Sequence, residues 1–161
     1  MRVTAILLAL AGPVLAADPA EMAATIEACV TEANRDPAAE RACVGVAAAA
    51  CLEATPGTSP AACVAAEAEG WRLLADATAG ALVAMADGLG VGGGEGPGGQ
   101  AALVARAQQA WAGFRDADCA QLAALAEPGP AQEGVVAQCR MERGADRALS
   151  LLARRRAMEG P

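Results

Sequence analysis

The sequence predicts an all-α fold, a small antiparallel bundle of about five helices stapled by three disulfides. No segment alternates apolar and polar residues in a β-branched run, so no sheet is expected. Six cysteines in a chain of 161 residues provide the staples. Three helix starts carry a capping side chain followed by proline at the first helical position. These starts are Asp18-Pro19, Asp36-Pro37 and Ser59-Pro60.

The first 16 residues are predicted to be a secretory signal peptide. Arg2 precedes an apolar stretch, and Val14-Leu15-Ala16 forms a small-residue cleavage site. The uncharged run is shorter than the roughly 20 residues that a membrane-spanning helix needs. No membrane span is therefore expected. No lipid anchor is expected either, because no cysteine sits at the cleavage point. The mature chain, residues 17–161, is expected to be a single helical domain that is periplasmic or secreted.

Turn and capping residues bound the predicted helices. A glycine-rich segment over residues 88–99 separates the third helix from the fourth and is predicted to be a flexible connector. Gly129 and Pro130 mark the start of the last helix. The five helices are predicted over Pro19–Asn34, Pro37–Ala54, Pro60–Asp87, Gly99–Ala126 and Pro130–Met158.

The predicted core is poor in large side chains. Hydrophobic residues make up 55% of the chain, but most are alanine, and the chain has one Phe, two Trp and no Tyr. Stabilisation by burial follows the apolar area removed from water, at about 25 cal/mol per Å². Small cores of this kind need covalent staples, so structural disulfides are the expected role of the cysteines.

The positions of the six cysteines favour one pairing over its rivals. Cysteines paired across an antiparallel helical hairpin should lie at equal distances from its turn. Pairing in sequence order puts the three midpoints at Asp36, Gly57 and Gly129, which are all turn signals. Joining Cys29 to Cys63 would put the midpoint at Val46, inside the predicted second helix. The predicted bridges are Cys29–Cys43, Cys51–Cys63 and Cys119–Cys139.

Charge and residue types exclude several functions. The net charge is −7, and loss of Arg2 with the signal peptide makes it −8. An acidic chain lacks the basic surface that nucleic acids require and suits a basic protein partner. There is no His, Lys or Tyr for acid–base chemistry, and there is neither a CxxC pair nor a His for zinc. The chain is therefore not expected to be an enzyme or to hold a metal or a cofactor.

The fourth predicted helix carries the most informative pattern. Gln108, Trp111, Arg115 and Cys119 fall on one helical face, and a cation–π contact between Trp111 and Arg115 is geometrically possible. Because Cys119 should face the last helix, Trp111 is expected to be carried into the core. A surface role for the ring is the alternative.

This pattern resembles the LprI-like lysozyme-inhibitor N-terminal domain family. The resemblance extends over about residues 51–152. Its C-terminal part comprises Leu103, Gln108, Trp111, Phe114-Arg115-Asp116 and Cys119, followed by Cys139, Arg147 and Leu149. Its looser N-terminal part comprises Cys51, Cys63, Glu67, Trp71, Leu74 and Asp76. The chain departs from the family pattern at Arg72, Ala79 and Gly144 and lacks the lipid-anchor cysteine of the family's namesake.

The resemblance implies an exported, non-catalytic binding protein. It suggests inhibition of lysozyme or another envelope hydrolase; the alternative is a structural or assembly protein of the envelope with no enzyme partner. Basic lysozymes with carboxylate-lined clefts suit an acidic inhibitor that offers an arginine. Arg72, Arg106 and Arg115 are the candidate contact residues. The family-pattern residues Gln108, Trp111, Arg115, Asp116 and Arg147 are predicted to be mainly structural.

Overall fold

The computed structural model describes residues 17–90 and 99–160, and within them the chain is helical with no strand. The predicted all-α class is therefore confirmed. The predicted signal peptide lies outside the described residues, as does most of the glycine-rich connector. The six helices are α1 (Pro19–Glu32), α2 (Pro37–Arg41), α3 (Val46–Ala54), α4 (Pro60–Gly88), α5 (Gln100–Ala123) and α6 (Pro130–Glu159).

The predicted second helix is in fact two helices. The chain leaves the helical path after Arg41, and Gly45 adopts a left-handed conformation with φ of 95°. Glycine tolerates this conformation because it has no Cβ. The alanine-rich stretch that follows then starts again as α3. The expected single helix over residues 37–54 was wrong because the sequence pattern does not reveal this break.

The three predicted helix caps are confirmed. Asp18 accepts a hydrogen bond from the backbone amide of Ala20, and Asp36 accepts one from that of Ala39. Ser59 caps α4 by accepting from the amide of Ala62, at 3.1 Å. Each cap satisfies a backbone donor that the first turn of a helix leaves without an intrahelical partner.

The predicted disulfide pairing is also confirmed. Cys29–Cys43 joins α1 to the turn after α2, Cys51–Cys63 joins α3 to α4, and Cys119–Cys139 joins α5 to α6. The Cα–Cα distances of 5.8, 5.8 and 5.6 Å lie in the normal range. No cysteine in the described residues is free.

Helix α4 is the centre of the molecule and packs most extensively against α6 and α1. Gly70 allows α1 to approach closely, since an added Cβ would lie 2.9 Å from the backbone nitrogen of Ala23. Gly144 on α6 similarly meets the Cβ of Trp71. The indole of Trp71 is fully buried between these helices. We call the packing of α1, α3 and α6 around α4 the α4 seam.

None of the helices in the described ranges combines the length and the hydropathy needed to cross a membrane.

Candidate functional site

Helix α5 is the least buried of the long helices. Only Cys119 and Ala123 of its 24 residues are buried. Phe114, the only phenylalanine of the chain, is 59% exposed, and Leu103 is 47% exposed. A helical spacing of three and four residues aligns these side chains on one side of the helix. We call this side the outer face of α5; it comprises Leu103, Ala107, Ala110, Phe114 and Ala117, all of them exposed.

Trp111 lies beside the outer face of α5 and is only partly buried. The expectation that this ring fills the core was wrong; Trp71 fills it instead. Cys119 does face α6, but Trp111 lies about two turns earlier on α5 and is covered there by charged side chains. The guanidinium carbon of Arg115 is 5.1 Å from the ring centroid, and that of Arg147 on α6 is 6.0 Å from it. Both distances fit cation–π contacts.

A chain of hydrogen bonds connects this ring to the rest of the bundle. Arg147 donates from Nε and Nη2 to Oε1 of Gln108, at 2.7 and 2.5 Å. Gln108 in turn donates from Nε2 to Oδ1 of Asp76 on α4, at 3.1 Å. The chain therefore joins α4, α5 and α6 at one point. We call its side chains together with the stacked ring the Trp111 cluster: Asp76, Gln108, Trp111, Arg115 and Arg147.

Burial and charge act on Arg147. Its removal from water lowers the pKa of the guanidinium, and the positive charge of Arg154 lowers it further. Arginine nevertheless remains protonated in proteins. The cluster therefore holds a half-buried cation against the face of Trp111.

Arg115, one of the three candidate contact residues, is largely buried and already bonded to another residue of the chain. Its side chain is 13% exposed, and it donates to Oδ1 of Asp116 from Nε and Nη2, at 3.0 and 2.9 Å. Arg140 of α6 approaches the same carboxylate at 3.6 Å. Arg115 and Asp116 thus connect the Trp111 cluster to α6.

The other two candidate arginines, Arg72 and Arg106, lie on α4 and α5. Arg72 pairs with Glu69 at 2.7 Å and with Asp76 at 2.6 Å, both on its own helix. The hydrogen bond with Glu69 is the main cause of the raised pKa of Arg72. Arg106 is exposed on α5, on a different face from Trp111. The structure therefore brings Arg115 to the cluster, links Arg72 to it through Asp76, and places Arg106 on a different face of α5 from Trp111.

A groove of about 740 Å³ runs beside the cluster, over the Cys119–Cys139 disulfide. The first turns of α4, the last turns of α5 and the first turns of α6 form its walls, and alanine is the most frequent residue in them. Asp116 and Arg140 lie on its rim. Because Asp116 also holds Arg115, the groove and the Trp111 cluster form one continuous surface.

A buried carboxylate was not assigned a role from the sequence. Glu67 is completely buried and accepts three hydrogen bonds, from the amides of Gly45 and Ala48 at 2.7 Å and from the indole of Trp71 at 2.9 Å. It therefore caps α3 from a neighbouring helix and fixes the core tryptophan. The spacing of four residues along α4 could have indicated the hydrogen bond between Glu67 and Trp71. The bonds from the α3 amides could not be predicted in this way, because those amides are about 20 residues away in sequence.

No group of three or more His, Cys, Asp or Glu side chains in the described ranges is arranged to hold a metal ion.

Comparison with known families identifies the region that carries this surface. Residues 51–151 match the family described as Lysozyme inhibitor LprI. The comparison with curated proteins found no match, and neither did the comparison with solved structures. The family match covers more than half of the chain, from Cys51 in α3 to Leu151 in α6, and includes the whole Trp111 cluster. The chain therefore belongs to the LprI lysozyme inhibitor family.

Proposed function

We propose that this protein is exported, has no catalytic activity of its own, and binds and inhibits lysozyme or another hydrolase of the cell envelope. The observation that carries the proposal is the family match over residues 51–151, which includes the whole of α4 and α5 and the part of α6 up to Leu151. Helix α5 has an apolar outer face that the described part of the chain leaves uncovered.

The composition of this surface supports a binding role. Trp and Arg are enriched among the residues that dominate binding energy at protein interfaces. Trp111 and Arg115 are of these types, and Phe114 beside them is 59% exposed. Burial of an aromatic side chain against a partner would remove roughly 150–250 Å² from water.

The charge of the protein supports a basic partner. With a net charge of −7, the chain attracts a protein such as a basic lysozyme over long distances. Such attraction mainly raises the rate of association and weakens as salt is added.

The titratable groups near the site support a non-catalytic role. Without His, Lys or Tyr, acid–base chemistry would fall to the carboxylates. The nearby carboxylates pair with arginines: Asp116 with Arg115, and Asp118 with Arg143 at 2.8 Å. These carboxylate oxygens are therefore already engaged by arginine donors of the same chain.

The direct test is the inhibition of egg-white lysozyme by the purified, oxidised protein. The initial rate of lysis of a bacterial cell-wall suspension would be measured against inhibitor concentration, at low and at physiological salt. We expect inhibition that saturates near one inhibitor per enzyme and weakens as salt is raised. Reduced and alkylated protein is the control, because it lacks all three bridges, including Cys119–Cys139, which holds α5 to α6.

Absence of both inhibition and binding would contradict a lysozyme partner. The same assay on a panel of other envelope hydrolases would then decide between a different enzyme partner and a structural or assembly role. Failure against the whole panel would reject the proposed inhibitory function.

A further inference from the structure

Arg147 differs from the other arginines around the Trp111 cluster in what it pairs with. Arg115 binds Asp116, Arg143 binds Asp118, and Arg72 binds two acidic residues of its own helix. Arg147, in contrast, directs both Nε and Nη2 at the uncharged Oε1 of Gln108. Among the described residues, no carboxylate lies within ion-pair distance of Arg147, although its side chain is half-buried.

A half-buried cation without a counter-charge is an unfavourable arrangement. Removing a charged group from water carries a large free-energy cost unless an opposite charge compensates it. The burial and the nearby Arg154 that lower the pKa of Arg147 reflect this cost. Asp76 is connected to Arg147 by hydrogen bonds through Gln108 and not by a direct ion pair. The arrangement therefore favours any ligand that supplies a negative charge here.

The surroundings of Arg147 define what kind of anion fits. Trp111 forms a flat wall 6.0 Å from the guanidinium carbon, and the outer face of α5 with Phe114 extends beyond it. Nη1 has no hydrogen-bond partner within the described residues and is available as a donor. A guanidinium matches the geometry of a carboxylate, which can accept from it in a planar arrangement. An apolar and aromatic border favours a carboxylate that belongs to a partner protein. Contact of that protein with the border would exclude water from the ion pair between the carboxylate and Arg147.

We propose that Arg147, supported by Trp111 and Gln108, is the receptor for a carboxylate in the active-site cleft of the bound hydrolase. The identity of the partner rests on the function proposed above, whereas the carboxylate site rests on the geometry of this chain. Arg147 thus acquires a binding role that its place in the family pattern does not reveal. Arg72 and Arg115, whose charges are already matched, are positioned to support the surface rather than to receive the partner's carboxylate.

The first test uses a small carboxylate and needs no hydrolase. N-acetylglutamate would be titrated into the isotopically labelled protein while the two indole resonances are followed by NMR, with sodium chloride at equal ionic strength as the control. We expect a saturable shift of the Trp111 indole and of the Arg147 Nε–H. The Trp71 indole is an internal reference, because it is buried and bonded to Glu67. In Arg147→Gln the saturable shift should vanish while the Trp71 signal stays in place.

The second test measures binding of egg-white lysozyme by calorimetry. Arg147→Gln should weaken binding by about 30-fold or more, the usual loss when one partner of a desolvated charge pair is removed. Arg41→Gln is a control of equal charge change, since Arg41 is an exposed residue that pairs with Asp146. It should alter the affinity by less than about 3-fold. Arg147→Lys, which keeps the charge but loses the planar donor geometry, should fall between the two.

A lysozyme with both catalytic carboxylates changed to amides completes the second test. If Arg147 contacts one of these carboxylates, Arg147→Gln should weaken binding to this enzyme by less than about 3-fold. The ion pair between Arg147 and the carboxylate is already absent in that complex. An unchanged loss of about 30-fold would overturn the proposed contact. Saturable N-acetylglutamate binding without lysozyme binding would reject lysozyme as the partner and keep the carboxylate site. Lysozyme binding with no dependence on Arg147 would keep the proposed function and reject the site.

Discussion

The α4 seam and the outer face of α5 use the same residue types in opposite ways. Each region has one tryptophan with a polar partner four residues away along its helix. In the seam, Trp71 is fully buried and its indole N–H is bonded to Glu67. On α5, Trp111 is partly exposed and stacked with Arg115. The bundle therefore places its stability mainly in α4 and its neighbours and leaves α5 available for contact with a partner.

The strongest test of this division compares alanine substitutions of the two tryptophans. Trp71→Ala should lower the free energy of unfolding by about 3–5 kcal/mol, because it leaves a cavity and removes the indole donor from Glu67. Trp111→Ala should lower it by less than about 1.5 kcal/mol, since the ring is already partly in water. Denaturant unfolding of the oxidised proteins gives both values. Equal losses in the free energy of unfolding would mean that the two regions contribute equally to stability.

The next test concerns the buried carboxylate. Glu67→Gln should lower the free energy of unfolding by about 1.5–3 kcal/mol, because an amide nitrogen would replace one of the two carboxylate oxygens. That donor would face the backbone amide of either Gly45 or Ala48, each of which now donates to a different oxygen. Glu69→Gln is the matched control on the same helix. Its side chain is 48% exposed and pairs with Arg72, so the expected loss is within about 1 kcal/mol. A Glu67 variant as stable as the Glu69 variant would contradict the capping role of Glu67.

A glycine pair on α4 tests how closely the seam is packed. Gly70→Ala should destabilise the protein by about 1–3 kcal/mol, because the new methyl would lie 2.9 Å from backbone and side-chain atoms of α1. Gly80→Ala on the same helix should stabilise it by about 0.5–1 kcal/mol, since nothing lies within 4 Å of the added group. The two substitutions should therefore shift the melting temperature in opposite directions relative to the parent protein. A stabilising Gly70 substitution would show that α1 can shift away from α4 without loss.

The smallest effect on stability is expected on the outer face of α5. Phe114→Ala should change the free energy of unfolding by no more than about 0.5 kcal/mol, since the ring is 59% exposed and leaves no internal cavity. The same variant should weaken lysozyme binding, which calorimetry measures directly. A loss of stability above about 1.5 kcal/mol would place Phe114 in the fold rather than on the contact surface.

The features that sequence could predict are those that depend on neighbouring residues. The side chains of Asp18, Asp36 and Ser59 accept from backbone amides no more than three residues away, and all three caps were predicted. The helix break at Gly45 was not predicted, because it depends on a distant residue. The backbone amide of Gly45 donates to the carboxylate of Glu67, which lies 22 residues further along the chain. No helical periodicity contains that information.

The placement of the two tryptophans failed for a related reason. Trp111 shares a helical face with Cys119, and that periodicity correctly indicated which side of α5 turns towards α6. It did not indicate that Arg147 and Arg115, rather than apolar side chains, cover the ring. Amphipathic patterns reveal the side of a helix that packs, but the depth of burial depends on what the facing helix contributes.

The order of the disulfides has a consequence for how the protein matures. The cysteines are joined in chain order, the first to the second, the third to the fourth and the fifth to the sixth, with separations of 14, 12 and 20 residues. A chain that enters an oxidising compartment amino end first can therefore complete each bridge before the next pair of cysteines arrives. No bridge has to be broken and reshuffled, a process that takes minutes to hours without a catalyst. For a chain oxidised in this order, the native connectivity requires no isomerisation step.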